Sequence, residues 1–332
     1  MAHRFLVKDI ALQAGVGTAT VDRVLNGRGG VRAQTADRVR HAIAELESQS
    51  AQLALSGRKM FIDLLVEAPQ TFIDALDVAL REELPLMQPA VIRARRDMRV
   101  RFAVSDMLAG MERVRRRGSH GVIVMGPEAA RLKDGIDRLE AAGIPVVTLA
   151  SDMEGTRRRG YVGLDNARAG AVAAWLMARW LPDLAAPRVL VTLRNDRFRG
   201  EEERAQGFRA ELARLCPAAR IETLAEGVAP GFAAEVAARA PEALYSVGGG
   251  NRRLVREMEA RGHRPRVIVA HDLDPDNRAL LAEGRIDVLL YHDLREDIRN
   301  ACRIFTALRL RQPPPAPAEG AALRMLVPPV VR

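Results

Sequence analysis

The chain has 332 residues, long for one domain and suited to two or three, and 48% of it is hydrophobic, enough to fill proper cores. The net charge of +9 favours a polyanionic partner, but only Lys8, Lys59 and Lys133 are lysines, and an Arg- and Ala-rich composition reflects GC-rich coding as well as a basic surface. Two distant cysteines, Cys216 and Cys302, exclude a disulfide framework or a Cys/His metal cluster; with no membrane-length apolar run and no apolar signal core in MAHRFLVKD, a cytosolic, nucleoid-associated protein with no cofactor and no membrane partner is expected.

Val7–Ala14 reads as a short amphipathic helix with Ile10, Ala11 and Ala14 on one side. Gly15-Val16 forms the turn, since glycine accepts the positive φ that ends a helix. A second helix starts at Gly17 or Thr18, turns Val21, Val24 and Leu25 inward, and stops at Asn26-Gly27. After Gly29-Gly30, Thr35 is expected to cap a third helix carrying Val39, Ile43 and Leu46. Two short helices joined by a tight glycine turn suit a second helix laid in the DNA major groove.

The stretch VKDIALQAGVGTATVDRVLNG…VRAQTADRVRHAIAEL resembles the DNA-binding head of the lactose-repressor (LacI/GalR) family, through Asp9-Ile10-Ala11, Ala14-Gly15-Val16 and the block from Thr20 to Asn26. It departs from that pattern at Gly17 and Asp22, where the family has Ser. The resemblance implies double-stranded operator DNA as partner. By position, Thr18, Ala19 and Arg23 are the candidate base readers, because an Arg fork matches guanine O6 and N7. Thr20 and Asn26 fit backbone or phosphate contacts better, and Asp22 either accepts from cytosine or pairs with Arg23 or Arg28.

Residues 48–60 turn small and polar and read as a hinge after a head of residues 1–47. In the resembled family a hinge leucine wedges into the minor groove, which makes Leu55 the candidate here and Leu53 the second. From residue 61, short apolar runs alternate with amphipathic segments. The strands expected are 61–66, 91–95, 121–125, 146–149, 161–162, 188–193, 221–224, 243–247, 267–271 and 287–291, with helices between most of them, including 72–83, 129–142, 167–180, 202–215, 251–261 and 294–311. The fold class is therefore α/β: an all-α helix-turn-helix head, then two doubly wound parallel-sheet lobes with a ligand between them. Pro313–Pro317 reads as a loop, 323–327 as a last crossover strand, and the runs Arg113–Arg117 and Arg157–Arg159 as solvated faces.

The fragments GVIVMGPE, PVVTLASD, YVGLDNARAG, ERAQGF and YSVGGGN…VIVAHD…VLLYHD together resemble the periplasmic-binding-protein-like body of the same family. That implies one lobe of residues 61–163 and 293–321 and another of 164–292 and 322–332. It also implies a sugar, sugar alcohol or sugar acid as effector, and a homodimer, since no C-terminal heptads follow. The ligand candidates carried over are Gln70, Phe72, Glu128, Ser151 and Asp152 from the first lobe, and Arg204, Asn251, Asp272 and His292 from the second. Asn251 could instead cap a helix, Asp272 likewise, and His292, in place of the family's Gln, could be structural. The expected function is a ligand-responsive transcriptional regulator, with a solute-binding uptake protein as the alternative. No nucleophile triad, carboxylate pair or nucleotide loop points to an enzyme.

Overall fold

The computed structural model describes residues 3–55, 57–194, 198–226, 231–313 and 321–331, without the side chains of residues 48, 51, 52, 54, 55 and 331. The chain forms two compact units, the first made of residues 1–59 and 87–91 and the second of the remainder.

In the first unit, α1 (Val7–Ala14) and α2 (Thr18–Leu25) fall where their apolar spacing places them. Gly15, at φ 61°, closes α1, and the Val16 amide returns to the Ala11 carbonyl at 3.0 Å. Ile10, Ala11, Ala14, Val21, Val39 and Ala42 form the buried core, with Leu25, Ile43 and Leu46 against it. The third helix, α3 (Ala33–Leu55), differs from expectation at both ends. It starts two residues before Thr35, whose amide bonds the Arg32 carbonyl at 2.9 Å, so Thr35 lies in the first turn and is not the cap. It also runs through most of the expected hinge, because residues 48–55 hold Ala, Gln and Leu with no Gly or Pro before Gly57.

The second unit holds two sheets. β1 (Lys59–Glu67), α4 (Gln70–Glu83), β2 (Val91–Arg99), α5 (Val104–Arg117), β3 (Gly121–Met125), α6 (Ala130–Ala141), β4 (Val146–Leu149) and β5 (Gly160–Val162) build the first, with strand order β2-β1-β3-β4-β5. The chain then crosses through α7 (Asn166–Met177) to β6 (Arg188–Leu193), α8 (Arg199–Leu215), β7 (Arg220–Ala225), α9 (Phe232–Ala238), β8 (Ala243–Ser246), α10 (Asn251–Ala260), β9 (Val267–His271), α11 (Pro275–Ala282) and β10 (Val288–Tyr291). It returns as α12 (Leu294–Arg309), which packs on α4 and β5, and ends with β11 (Arg324–Leu326) and α13 (Pro328–Val331). The second sheet runs β11-β10-β9-β8-β6-β7, parallel from β10 to β7, with β11 antiparallel on β10.

Both faces of this sheet are covered. The registered row Val191, Tyr245, Val269 and Val288 joins one core, and the next row, Leu190, Leu244 and Ile268, joins the other. Near-continuous apolar runs are what a doubly wound strand requires. Among the described residues no helix is long and apolar enough to cross a membrane.

The arginine runs are not merely solvated. Arg117 and Arg95 both engage Asp63, buried on β1, and Arg113 pairs with Asp97 at 3.1 Å. Arg158 clamps Asp152, and Arg159 holds the buried Glu140 at 2.8 Å. A buried carboxylate needs such a partner, because desolvation of an unpaired charge costs several kcal/mol.

The tightest joint is the crossing of α7 and α8. A Cβ at Gly170 would lie 1.9 Å from the Arg204 carbonyl oxygen, and one at Gly207 would lie 2.0 Å from that of Ala167. Only two facing glycines allow backbones so close. Gly207→Ala should therefore destabilise the protein by about 2 kcal/mol or more, read as a fall of several degrees in Tm. Gly249→Ala, whose Cβ would come no nearer than 3.5 Å to the Arg194 guanidinium, should leave Tm nearly unchanged.

Candidate functional site

On α2, Val21 is buried and Val24 half-buried, which turns Thr18, Ala19 and Arg23 outward to solvent; Thr20 is half-buried and Asn26 exposed. The Asp22 carboxylate is satisfied within the head: Arg28 reaches it at 3.0 Å, and Asn26 Nδ2 donates to its Oδ1 at 2.8 Å and to its carbonyl at 2.9 Å. Asn26 thus ties off its own helix. Among the described residues no carboxylate pairs with Arg23, whose fork stays available. The side chain of Leu55 lies outside the described residues; Leu53 is exposed.

A cavity of about 970 Å³ opens between the two sheets of the second unit. Thr71, Phe72, Met125, Ala150 and Ser151 face it from the first lobe, and Phe198, Arg204, Val247, Asp272 and His292 from the second. Its size is that of a small-molecule site. Five of the nine candidates, Phe72, Ser151, Arg204, Asp272 and His292, meet here.

Four do not, each for a local reason. Gln70 opens α4 and runs along the helix to Asp74 at 2.8 Å. Glu128 lies in a separate shallow depression, held by Lys133 at 2.5 Å. Asp152 turns inward, accepting from Thr148 at 2.7 Å, the Met153 amide at 2.8 Å and Arg158 Nε at 2.5 Å. Asn251, buried at the start of α10, donates to Asn277 Oδ1 at 2.8 Å.

That last bond supports the site indirectly. Asn277 Nδ2 donates to the carbonyls of His271 at 3.0 Å and Asp272 at 2.8 Å, while Asp274 caps α11 through the Asn277 amide at 2.7 Å. Asp272 itself sits at φ 71°, a conformation that non-glycine residues occupy only when their surroundings enforce it, and such strain clusters at functional positions. Asn251 and Asn277 are the enforcers.

Arg204 is 6% exposed and has no carboxylate partner among the described residues. Its Nε donates to Asn166 Oδ1 at 2.8 Å and its Nη1 to the Val247 carbonyl at 3.3 Å. Asn166 in turn donates to the Ala150 carbonyl at 3.3 Å and the Tyr161 hydroxyl at 3.2 Å, which carries the network into the first lobe. Asp165 caps α7 through the Arg168 amide at 2.9 Å, away from the cavity. Beneath the cavity floor, burial, with Arg204 and His292 nearby, holds His271 well below the ordinary imidazole range, so it stays neutral and bonds the Tyr245 hydroxyl at 2.8 Å.

Phe198, just before α8, was missed by the sequence reading. With Phe72 it gives the cavity one aromatic from each lobe. Its signal was a lone aromatic in the charged stretch DRFRGEEER.

Comparison with known proteins follows this division. The profile for bacterial regulatory proteins of the lacI family matches residues 6–48, and the profile for the periplasmic binding protein domain matches residues 100–309. The HTH-type transcriptional regulator TreR of Salmonella typhimurium is 33% identical over 129 residues, 38% of this chain and 40% of that protein, so the match spans well under half of the relative's length. A glucose-galactose binding protein, GanP, from Geobacillus stearothermophilus is 17% identical with a TM-score of 0.71, covering 82% of this chain and 98% of its own. A candidate LacI transcriptional regulator from Bacteroides fragilis is 15% identical with a TM-score of 0.73, covering 82% and 99%. A Bacillus halodurans solute-binding protein with bound myo-inositol is 13% identical with a TM-score of 0.71, covering 83% and 97%. At these identities the structures establish the body's fold alone.

Burial alone would raise the Asp152 carboxyl, but Arg158, Thr148 and the Met153 amide outweigh it and hold the group below its ordinary value. The folded form then binds a proton less readily than the unfolded chain, so Asp152 stabilises above about pH 4 and loses that contribution as pH falls further. Asp152→Asn should lower stability at pH 7 in urea unfolding, and its difference from wild type should shrink below pH 4. A difference constant down to pH 2 would contradict the assignment.

Proposed function

The chain belongs to the periplasmic binding protein domain family, in the form taken by lacI-family bacterial regulators, with a lacI head ahead of the ligand-binding body, and from that premise we propose that it is a cytoplasmic, ligand-responsive transcriptional regulator acting as a homodimer on palindromic DNA. The observation that carries this reading is the pairing, in one chain, of an outward α2 face bearing an unpaired Arg23 with a cleft walled by Arg204, Asp272, His292 and two aromatics. A two-fold dimer matches a two-fold operator. Thr18, Ala19 and Arg23 read bases, Thr20 approaches phosphate, and Leu55 is the minor-groove wedge. Asn26 supports the helix through Asp22 and contacts DNA at most from that position.

The effector is a sugar, sugar alcohol or sugar acid. Aromatic faces against ring carbons with polar groups at the rim suit such a molecule, and GanP is described as a glucose-galactose binding protein and the Bacillus protein as an ABC transporter solute-binding protein with bound myo-inositol. The effector changes DNA affinity only by the difference in its affinity for the two lobe arrangements, and relief of repression is the expected sign. The uptake-protein alternative explains the body but leaves the head without a role. Turnover is not part of this reading: His271 is buried and neutral, and the cleft side chains bind.

Two experiments test it. Arg23→Ala should lose about 1–3 kcal/mol of preference for a DNA site selected by the wild type over scrambled DNA, measured by fluorescence anisotropy; equal losses on both DNAs would remove Arg23 as a base reader. In a thermal-shift panel of hexoses, inositols and sugar acids on the full chain, at least one compound should raise Tm by mass action, and Arg204→Ala or Asp272→Ala should abolish the shift. A flat panel would count against a sugar-class effector.

A further inference from the structure

Strand β10 ends at Tyr291, and His292 begins the crossover that leads back into α12. His292 is 7% exposed and lines the cleft. Its Nδ1 is sealed from solvent and lies 2.7 Å from Oδ2 of Asp297, in the first turns of α12. The contact is close in distance but off the line of a straight hydrogen bond, so neither group is formally satisfied. Asp297 is 1% exposed, and among the described residues the His292 ring is the polar side chain set against it. Tyr161, on the neighbouring β5, donates its hydroxyl to the Leu164 carbonyl at 2.9 Å and does not serve the carboxylate.

A bare ring nitrogen 2.7 Å from a carboxylate oxygen, both shut from solvent, would be repelled by it even off the hydrogen-bond line. A proton on Nδ1 relieves that repulsion, and a small turn of the ring would bring it onto the carboxylate, which as a buried acceptor is costly to leave without a donor. Which nitrogen of a histidine carries the proton is set by the partner of the other. With Nδ1 sealed against Asp297, the ring meets the cleft through the edge bearing Nε2.

We propose that Asp297 is a positioning residue of the ligand cleft: it keeps the proton of the neutral His292 ring on Nδ1 and so presents Nε2 as a hydrogen-bond acceptor, which selects a hydroxyl donor on a neutral polyol over a carboxylate or phosphate. This rests on the cleft being the effector site argued above. At its His292 end the wall then sets two acceptors, Asp272 and His292 Nε2, beside the Arg204 fork, while Arg194, Arg295 and Arg324 and further carboxylates line the cavity around them. Hydroxyls, each both donor and acceptor, complement that pattern. An anionic group at the His292 end would face a lone pair there, with the Asp272 carboxylate on the same wall.

The tautomer can be read without any effector. The full chain labelled with nitrogen-15 histidine, its His292 signals assigned by their loss in His292→Gln, should show a neutral ring protonated on Nδ1. Asp297→Leu should move that proton to Nε2, and Asp297→Glu should restore Nδ1. A wild-type ring protonated on Nε2 overturns the proposal even if the variants fold poorly, and so does a tautomer unchanged in a folded Asp297→Leu protein. As ligand probes, myo-inositol and D-glucose on one side and D-glucuronate on the other should separate in thermal shift on the full chain. Stabilisation by a neutral probe that weakens at least tenfold in Asp297→Leu supports it. Stabilisation by glucuronate alone, lost in His292→Gln, overturns it. Silence from all three counts against the cleft reading, while the tautomer still decides the part of Asp297.

Discussion

The body of this protein is organised around a backbone contact that only glycine permits. Gly170 on α7 faces the Arg204 carbonyl, and Gly207 on α8 faces the Ala167 carbonyl. Each glycine accommodates the helix that carries the other. This fixes α8 against the start of α7 and brings the Arg204 guanidinium onto Asn166 at 2.8 Å. Asn166 is also the first helical residue after the chain leaves the first sheet. The cavity-lining residue proposed to hold the ligand and the residue that marks the lobe crossing are thus set by one steric condition. Close approach comes first, and the polar network follows from it.

A second constraint is the cost of burying carboxylates. Asp63, Glu140 and Asp152 are all shut away, and each is answered by an arginine from a run that looks like surface charge: Arg117, Arg159 and Arg158. Breaking such a pair is far more costly than never having made it. These arginines therefore belong to the architecture of the first lobe and cannot be counted as a nucleic-acid surface. The same economy holds at the cleft. Asp272 keeps its strained backbone because Asn277 and Asn251, two buried amides, spend their hydrogen bonds on holding it.

Much of this was legible in the sequence. The strands 121–125, 146–149, 188–193 and 267–271 were read to the residue, since a strand buried on both faces leaves an unbroken apolar run between turn residues. α1 and α2 were legible from spacing and from Gly15. α9 and α11 were not singled out because they are short, and α5 was hidden by its arginines. For the site, the chain position of a residue after a strand said where its backbone would be, but not where its side chain would turn. Asp152 and Ser151 are adjacent, yet Ser151 faces the cleft and Asp152 faces Arg158. Asn251 was placed correctly in the fold, but its partner, Asn277, lies 26 residues on and was invisible to motif reasoning. Phe198 was overlooked because its neighbours are all polar.

The return of α12 to the first sheet and of β11 to the second has a consequence in time as well as in space. α12 covers the first lobe with residues 294–309, and β11 completes the second sheet with residues 324–326. During synthesis, both lobes wait for the last part of the chain. Neither can finish as the ribosome releases it, although most of each is already made, and the α4 and β5 surfaces that α12 will cover stay open meanwhile. Native pairings of such long sequence separation close slowly. The interleaving of the two lobes thus makes the newborn chain dependent on residues 294–326, and on whatever shields the open surfaces until those residues arrive.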